Sequence, residues 1–449
     1  MDSGPSGGIS ASPICRLGFF FGVIFFHYAT STRFTTALLV DLNYSSSSIG
    51  LVLGVMRIVT SLFSPVVSAF SDAVQTHRRI LLLMTFLRSI PYLFIGYLSF
   101  IGELTITWFW VLFGAFALLS SGISPICDSL VLAGLEDKNN YGKTRLWAAI
   151  TYGIGTFLMG VLIQEYGGYS PIFVCFFFTT FMSLAAIATL LPASAGGTTK
   201  QQPQKISFRS VSSICTKSLA MSIFFINFCL VGAMMSLVEN MLFVVMERSM
   251  EGNSPMLAGT SVLISVLPEI PLFQIAPKLL SSWGPKRMIL VCQGALIFRA
   301  LCYSYFSAAW ITLLLELLHG VAFALASTAG INICVERCPV GMESTMQSLL
   351  DMTFYGFGPA FGIILGGRLF DVVGPAQTFL IFSAFLTVSM FFFSIIFPSD
   401  RLNDKNKYEE LNPGLELPEF PTSESTLKVG SLSHGAIESI TEPGLSAKY

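Results

Sequence analysis

Residues 81–100 read LLLMTFLRSIPYLFIGYLSF, an apolar run interrupted by one charge, Arg88. About 20 such residues in a helix cross the ~30 Å hydrocarbon core of a bilayer. Comparable runs recur along the chain, and we count twelve, at 16–41, 48–71, 80–101, 106–134, 144–164, 171–192, 217–246, 256–281, 287–306, 308–334, 343–370 and 376–397. The sequence therefore predicts an all-α membrane protein with twelve transmembrane helices.

Composition leads to the same class. Hydrophobic residues make up 53% of the chain and charged residues only 11%, whereas a soluble domain carries about 25% charged residues. The first run is too long for a cleaved signal and contains His27 and Arg33, so we expect it to remain as a span. The nine cysteines are scattered singly, which predicts neither a disulfide framework nor a metal site.

Lysine and arginine are distributed unequally between the two sets of loops. Placing the N-terminus inside leaves little beyond Arg248 and Arg368 in the outer set. The inner set holds Arg78, Arg79, Lys138, Lys143, Lys200, Lys205, Arg209, Lys217, Lys286, Arg287 and Arg337. Cytoplasmic loops are the ones enriched in cations. We therefore expect a multi-pass protein with both termini cytoplasmic, in the plasma membrane, with an organelle membrane as the alternative.

The chain divides into two halves around a polar, Gly- and Pro-containing stretch that carries basic residues. We predict a cytoplasmic N-terminus at 1–15, a six-helix bundle at 16–192 and a cytoplasmic linker at 193–216. A second six-helix bundle follows at 217–397. The polar tail at 398–449 is predicted to be cytoplasmic and disordered.

The two halves are similar at corresponding junctions. The second-to-third junction ends in Arg78-Arg79 before an apolar helix, and the eighth-to-ninth ends in Lys286-Arg287. Glycines likewise flank both the fifth-to-sixth and the eleventh-to-twelfth junctions. Such repeats are typical of pseudo-symmetric transporters, whose site lies between the halves near the middle of the membrane.

Several ionisable residues lie inside the apolar runs. A charge at the centre of a membrane helix costs about 2.5–3.5 kcal/mol even on lenient insertion scales, so such groups face one another or a wet cavity. This pattern is typical of a polytopic transporter. The residues are Asp128, Glu239, Glu269, Arg299, Glu316 and His319. For Arg33 and Arg57, structural and functional roles both remain open.

The junction between Ser68 and Arg79 resembles the signature loop of the major facilitator superfamily, although Ser68 replaces its glycine and Ala73 its arginine. The resemblance implies a gating loop in which Asp72 faces Arg78 and Arg79 and latches the cytoplasmic side in one state.

Residues 141–147, YGKTRLW, and the following Tyr152-Gly153 resemble the start of the fifth helix in one branch of that superfamily. The branch holds lactose permease, nucleoside:proton symporters and phenylpropionate permeases. The resemblance implies that Arg145 and Tyr152, seven residues apart on one helix face, bind the solute. Asp128 is the candidate partner of Arg145. Tyr28 and the Glu239-Asn240 step are further candidates to line the solute cavity.

The second half extends the resemblance through Glu269, Arg299 and His319, which stand in consecutive helices. In lactose permease these helices carry a Glu, an Arg and a His that serve in proton coupling and sugar recognition. Two departures bear on that role, because Ala322 replaces a second carboxylate and Glu316 replaces a lysine. Around His319 the sequence is more similar to the animal major facilitator domain-containing proteins than to lactose permease.

We therefore expect two pseudo-symmetric six-helix bundles that carry a small polar organic solute by alternating access, in symport with protons. An uncoupled facilitator of the same fold and a non-transporting membrane sensor are the alternatives. The sequence contains no nucleophile–base or metal-ligand motif typical of an enzyme. We expect a monomer in the lipid bilayer, with no cofactor, no metal and no nucleic-acid partner.

Overall fold

The computed structural model of the protein describes residues 13–135, 141–191, 218–249, 254–305, 309–337 and 343–398. The predicted linker at 193–216, most of the N-terminal segment 1–15 and the tail after residue 398 lie outside these ranges. The two predicted bundles, at 16–192 and 217–397, are described except for short gaps.

The described residues form helices that build twelve spans. In the first half, span 1 is Pro13–Ala29 and Phe34–Asp41, span 2 Ser46–Val74, span 3 His77–Phe100, span 4 Ile106–Ser120 and Ile123–Gly134, span 5 Tyr141–Tyr166 and span 6 Ser170–Leu190. In the second half, span 7 is Leu219–Ser249. Span 8 is Ser254–Val266 together with the part of the helix Glu269–Tyr305 before Gly284, and span 9 is the part of that helix after Gly284. Span 10 is Ala309–Glu336, span 11 Glu343–Asp351, Met352–Phe357 and Gly358–Val372, and span 12 Pro375–Ile396.

These helices confirm the predicted all-α fold, with one difference at the junction of spans 8 and 9. The sequence predicts a loop there, but the helix Glu269–Tyr305 bends at Gly284, whose φ is 75°. Glycine reaches this left-handed conformation without the steric penalty of a Cβ. A continuous stretch of 51 residues, Pro255–Tyr305, therefore contains two membrane crossings.

Four spans are interrupted near their middle. Span 1 breaks at residues 30–33, span 4 at Ser121-Gly122 and span 8 at Leu267-Pro268, while span 11 contains a π-helical segment, Met352–Phe357. Irregular backbone at membrane depth is tolerated only where it is buried in protein or lines a wet cavity. The interruptions therefore indicate polar positions inside the bundle.

The halves meet closely at two helix crossings that depend on glycine. A Cβ on Gly50 in span 2 would lie 3.2 Å from the Cα of Gly367 in span 11. A Cβ on Gly160 in span 5 would lie 3.2 Å from the Cα of Gly259 in span 8. Small residues let membrane helices approach closely enough for backbone contact. Both crossings lie toward the end of the bundle opposite the termini, which we call the far end.

Polar contacts between the halves close the far end. The Asp371 carboxylate accepts from the backbone N–H groups of Ser46, at 3.1 Å, and Ser47, at 2.7 Å, at the start of span 2. Arg248 Nη1 donates to Ser46 Oγ at 2.9 Å. The Tyr169 hydroxyl donates to Glu247 Oε1 at 2.6 Å, and burial together with this carboxylate raises the pKa of Tyr169, which keeps its proton in place.

The signature-like loop lies at the other end, where it does not form the predicted contact. Asp72 is 68% exposed, and its ion-pair partner is His77, at 3.8 Å. Arg78 donates instead to the backbone carbonyl of Ala188 in span 6, within the same half. No described ion pair joins Asp72 to Arg78 or Arg79, because the stretched loop places His77 between them. A gating role for the three residues stays a prediction.

Loosening the far end should expose residues beneath it. Thr36 is 1% exposed below the closure, so in a background without reactive cysteines a Thr36→Cys variant should react slowly with a soluble maleimide. Tyr169→Phe or Asp371→Asn, which each remove contacts between the halves, should raise that labelling rate several-fold in detergent.

Tyr166→Phe is the matched control, because Tyr166 ends span 5, three residues before Tyr169, and is 77% exposed. It should leave the labelling rate unchanged. Equal rates in all these proteins would show that the contacts at the far end do not hold it closed.

Candidate functional site

An ion pair in the middle of the bundle joins the two halves. Arg33, at the break of span 1, places its Nη1 2.9 Å from Oε2 of Glu239 in span 7. Both side chains are about one-fifth exposed, at 18% and 21%. The break positions Arg33 here, because Thr30, Ser31 and Thr32 in that segment bond back to carbonyls of the preceding turn.

Tyr152 in span 5 completes the first-half side of this pair. Arg33 Nε donates to the Tyr152 hydroxyl oxygen at 3.1 Å. Thr32 Oγ1 lies 3.0 Å from the same hydroxyl and already donates its proton to the carbonyl of Tyr28. The Tyr152 hydroxyl therefore donates to Thr32, which leaves its oxygen to accept from Arg33.

His319 in span 10 extends the contact into the second half. Its Nε2 lies 3.2 Å from Oε1 of Glu239, and its Nδ1 lies 3.0 Å from Nη1 of Arg299. A guanidinium can only donate hydrogen bonds, so Nδ1 accepts and the ring proton lies on Nε2, which donates to Glu239. This arrangement assigns His319 a neutral ring with a fixed tautomer.

Arg299 in span 9 and Glu316 in span 10 form the next pair. Nη2 of Arg299 bonds Oε1 of Glu316, and the Tyr303 hydroxyl donates to the same oxygen at 3.0 Å. Arg299 is 1% exposed and Glu316 7%. Two buried opposite charges in direct contact compensate each other, whereas either one alone would be costly.

These contacts form one continuous chain, which we call the central network: Tyr152, Arg33, Glu239, His319, Arg299, Glu316 and Tyr303. It crosses from the first half to the second through the carboxylate of Glu239. Its two Arg–carboxylate pairs balance their charges. Asn240 lies beside it, with its amide nitrogen bonded to the Ser236 carbonyl at 2.9 Å.

Glu269 lies next to the central network without bonding to it. The residue begins the second part of span 8, after the break at Pro268, and packs on the helix turn that follows His319. A Cβ on Gly320 would lie 3.2 Å from Glu269 Cγ. Its carboxylate makes no hydrogen bond or ion pair to a described residue, although it is close enough to interact electrostatically with Glu239 and Arg33.

The sequence therefore predicts the second-half cluster only in part. Arg299 and His319 are in contact, but Glu316 takes the carboxylate position expected of Glu269. The reason is helical geometry, because Glu316 and His319 are three residues apart and share one face of span 10.

Arg145 and Tyr152, predicted to act together, belong to different groups in the structure. Arg145 Nη1 lies 3.0 Å from Oδ1 of Asp128, and the Tyr141 hydroxyl donates to the same oxygen at 2.9 Å. Seven residues along a helix separate the side chains of Arg145 and Tyr152 by about 10 Å. The hydroxyl of Tyr152 bonds Arg33 instead. The Asp128–Arg145 pair stands apart from the central network, nearer the termini.

Tyr28 lies in an aromatic stack between two arginines. The Arg145 guanidinium lies 4.6 Å from the ring of Phe25, and that of Arg88 lies 4.6 Å from the ring of Tyr28. The two rings are 5.7 Å apart. Guanidinium groups are attracted to aromatic faces. Tyr28 is therefore held as part of the first-half wall, and Arg88, which is 1% exposed, shares that role.

Sequence reasoning missed Tyr303 and left Arg33 open. Tyr303 follows Arg299 by four residues, a spacing that places them on one helix face. The signal for Arg33 is the polar run Thr30-Ser31-Thr32 before it, which breaks span 1. Among the described residues, no group of three His, Cys, Asp or Glu side chains could hold a metal ion.

A double-mutant cycle tests whether the ion pair of the central network joins the halves. Arg33→Ala and Glu239→Ala should each lower the free energy of unfolding in detergent, and the double variant should lose less than their sum. We expect a coupling energy of about 1–3 kcal/mol for groups in direct contact.

The Asp128–Arg145 pair is the matched control. Its side chains are 29% and 40% exposed, and exposed pairs couple by about 0.2–1 kcal/mol. Coupling for Arg33 and Glu239 no larger than for this control would contradict a central role for the pair.

Comparison with known proteins identifies the family. The sequence model of the MFS_1 like family matches residues 15–381. The uncharacterized transporter YwbF of Bacillus subtilis is 29% identical over 341 residues, covering 75% of this chain and 82% of that protein. The maltose permease of Geobacillus stearothermophilus is 23% identical and covers 87% and 95%.

Solved structures show the same fold. The nucleoside transporter NupG superposes with a TM-score of 0.74 at 16% identity, covering 87% of this chain and all of that one. A bacterial homologue of the human lysosomal transporter Spinster superposes with a TM-score of 0.63 at 12% identity, covering 86% and 97%. These relatives are transporters, which confirms the prediction of a transporter rather than an enzyme. The chain belongs to the MFS_1 like family and is a membrane transporter of the major facilitator type.

Proposed function

We propose that the protein carries a small polar organic solute across the membrane by alternating access, in symport with a proton. The observation that carries this proposal is the central network, which joins the two halves through Glu239 in the middle of the bundle. A network there can sense both the solute and the relative position of the halves. Small polar solutes are suggested by the relatives, among which are a maltose permease and a nucleoside transporter.

The distribution of contacts between the halves supports alternating access. The far end is closed by Asp371 and Arg248, at the ends of spans 11 and 7, and by Tyr169, which precedes span 6. The Asp128–Arg145 pair is half-exposed on the other side of the central network. We expect opening of the far end to separate Arg33 from Glu239, because the two residues belong to opposite halves. Separation of this ion pair is therefore a step at which a bound solute can influence the transition between the two states.

Proton coupling is supported by the surroundings of Glu269. His319 already uses both ring nitrogens, and a second ring proton would place a cation 3.0 Å from the Arg299 guanidinium. Glu269 has no such obstacle, since its carboxylate has no hydrogen-bond partner among the described residues. Protonation of Glu269 would therefore leave the hydrogen bonds of the central network intact. We propose Glu269 as the proton carrier, with His319, Arg299 and Glu316 holding its environment.

We propose roles for the other candidates on the same grounds. Tyr152 and Asn240 line the space beside the central network, and Arg145 with Asp128 forms a second polar position for the solute on the side of the termini. We further propose cytoplasmic termini, a plasma-membrane location and a monomeric carrier. An uncoupled facilitator would use the same fold with structural charges only, and a sensor would bind without transport.

Glu269→Gln tests the coupling. The amide resembles the protonated carboxylate, so the variant should keep binding and solute exchange but lose accumulation against a gradient. Binding of maltose, uridine and lactate is first compared by thermal shift. Uptake of the stabilising solute is then measured in proteoliposomes with and without an inward proton gradient.

Wild-type uptake should rise as external pH falls and collapse when a protonophore dissipates the gradient. Glu165→Gln is the control, since Glu165 is exposed at the end of span 5, and it should behave as wild type. Accumulation by Glu269→Gln equal to wild type would identify a facilitator, and binding without uptake in wild type would identify a sensor.

A further inference from the structure

Arg57 in span 2 is an arginine that the central network does not use. Its side chain is exposed, yet it is close enough to Glu239, Arg33 and Tyr152 to interact with them electrostatically. A side chain that faces lipid could not approach these three residues, so Arg57 is exposed to the space between the halves. Its guanidinium makes no hydrogen bond or salt bridge to a described residue.

Charge balance distinguishes Arg57 from the other arginines of this region. Arg33 is compensated by Glu239, Arg299 by Glu316 and Arg145 by Asp128. Arg57 has no carboxylate of its own. Glu269 has no cation partner among the described residues. It lies beside the same Arg33–Glu239 pair but belongs to the second half, whereas Arg57 belongs to the first. Beside the Arg33–Glu239 pair, the described residues therefore include one cation without a carboxylate partner, Arg57, and one carboxylate without a cation partner, Glu269. Arg88 and Asp351 also lack an ionic partner among the described residues, but Arg88 is buried against the ring of Tyr28 and Asp351 lies nearer Asp128.

We propose that Arg57 binds the carboxylate of an organic-acid solute, and that Arg57 and Glu269 together couple this anion to one proton. The proposal rests on the proposed function and specifies its solute class. In the loaded carrier the solute carboxylate compensates Arg57, and a proton from external water neutralises Glu269. In the empty carrier Arg57 and Glu269 compensate each other when the halves close.

This charge rule follows from the cost of burying ions. Alternating access passes through a closed state from which water is excluded, and an unpaired charge in such a site is strongly unfavourable. A solute without its proton would leave Glu269 charged and unpaired, because the solute occupies Arg57. A proton without the solute would leave Arg57 unpaired. Only the fully loaded and fully empty carriers are neutral at these two positions.

A neutral solute does not satisfy this rule. Hydroxyl groups of a sugar can accept hydrogen bonds from a guanidinium but bring no charge to compensate it. A carboxylate matches the planar guanidinium with two parallel, charge-assisted hydrogen bonds. The carboxyl group of Glu269 is close enough to Glu239, Arg33 and Tyr355 to interact with them electrostatically, and its proton leaves to water when the other end opens.

Three matched pairs of probes test the solute class: lactate and lactamide, glucuronate and glucose, and orotidine and uridine. The members of each pair differ chiefly by a carboxylate. We expect at least one carboxylate to raise the unfolding temperature of the purified protein, while its neutral counterpart does not. Arg57→Gln should weaken that binding by about tenfold or more, since a hydrogen bond between charged groups contributes about 1.5–3 kcal/mol.

Arg57→Lys keeps the charge without the planar fork and should bind with an intermediate affinity. Arg368→Gln is the control, because Arg368 is exposed near the far end of span 11, and it should bind as wild type. Each variant is compared after gel filtration has shown a folded, monodisperse protein. In proteoliposomes, uptake of the stabilising carboxylate should move one proton per solute molecule.

Stabilisation by the neutral members equal to that by the carboxylates would overturn the proposal and leave proton-coupled transport standing. Undiminished carboxylate binding by Arg57→Gln, or no stabilisation by any of the three carboxylates, would also overturn it. Carboxylate binding that needs Arg57 but is not accompanied by proton movement would contradict the coupling through Glu269, here and in the proposed function, and leave only the carboxylate site at Arg57.

Discussion

The carboxylate of Glu239 is the group on which the arrangement of the two halves depends. One oxygen accepts from Arg33 in the first half, and the other accepts from His319 in the second. A carboxylate can accept several hydrogen bonds at once, so Glu239 can bond Arg33 of the first half and His319 of its own half together. Arg299 bonds the other ring nitrogen of His319. Glu239 therefore connects Arg33 to the second-half members of the central network.

The interrupted spans are what make this arrangement possible. A continuous helix would keep its backbone polar groups bonded internally and would direct its side chains at fixed intervals. The break at residues 30–33 brings Arg33 to Glu239, and the break at Pro268 brings Glu269 beside Gly320. The close glycine crossings and the polar contacts of the far end then hold the halves together on one side. Rigid bundles joined by a few ionic contacts are suited to exchanging one set of contacts for another.

Much of this organisation could be predicted from the sequence. The apolar runs indicated the spans, because their length and composition are constrained by the bilayer. Arg299, His319 and Glu316 were identified because charges in apolar helices must be compensated nearby. The pairing of Arg33 with Glu239 could not be predicted, since the residues are 206 positions apart and meet only when the halves assemble. The seven-residue spacing predicts that Tyr152 and Arg145 act together on one helix face. The break in span 1 brings Arg33 to Tyr152 instead.

We infer that Glu239 holds the two halves together in the state described. Pulsed EPR between nitroxides at Glu103 in the first half and Met256 in the second, both at the far end, measures that relation directly. We expect one short distance in the unsubstituted background and an additional, longer distance when Glu239→Gln removes the charge. An unchanged distance distribution in the Glu239→Gln protein would contradict it.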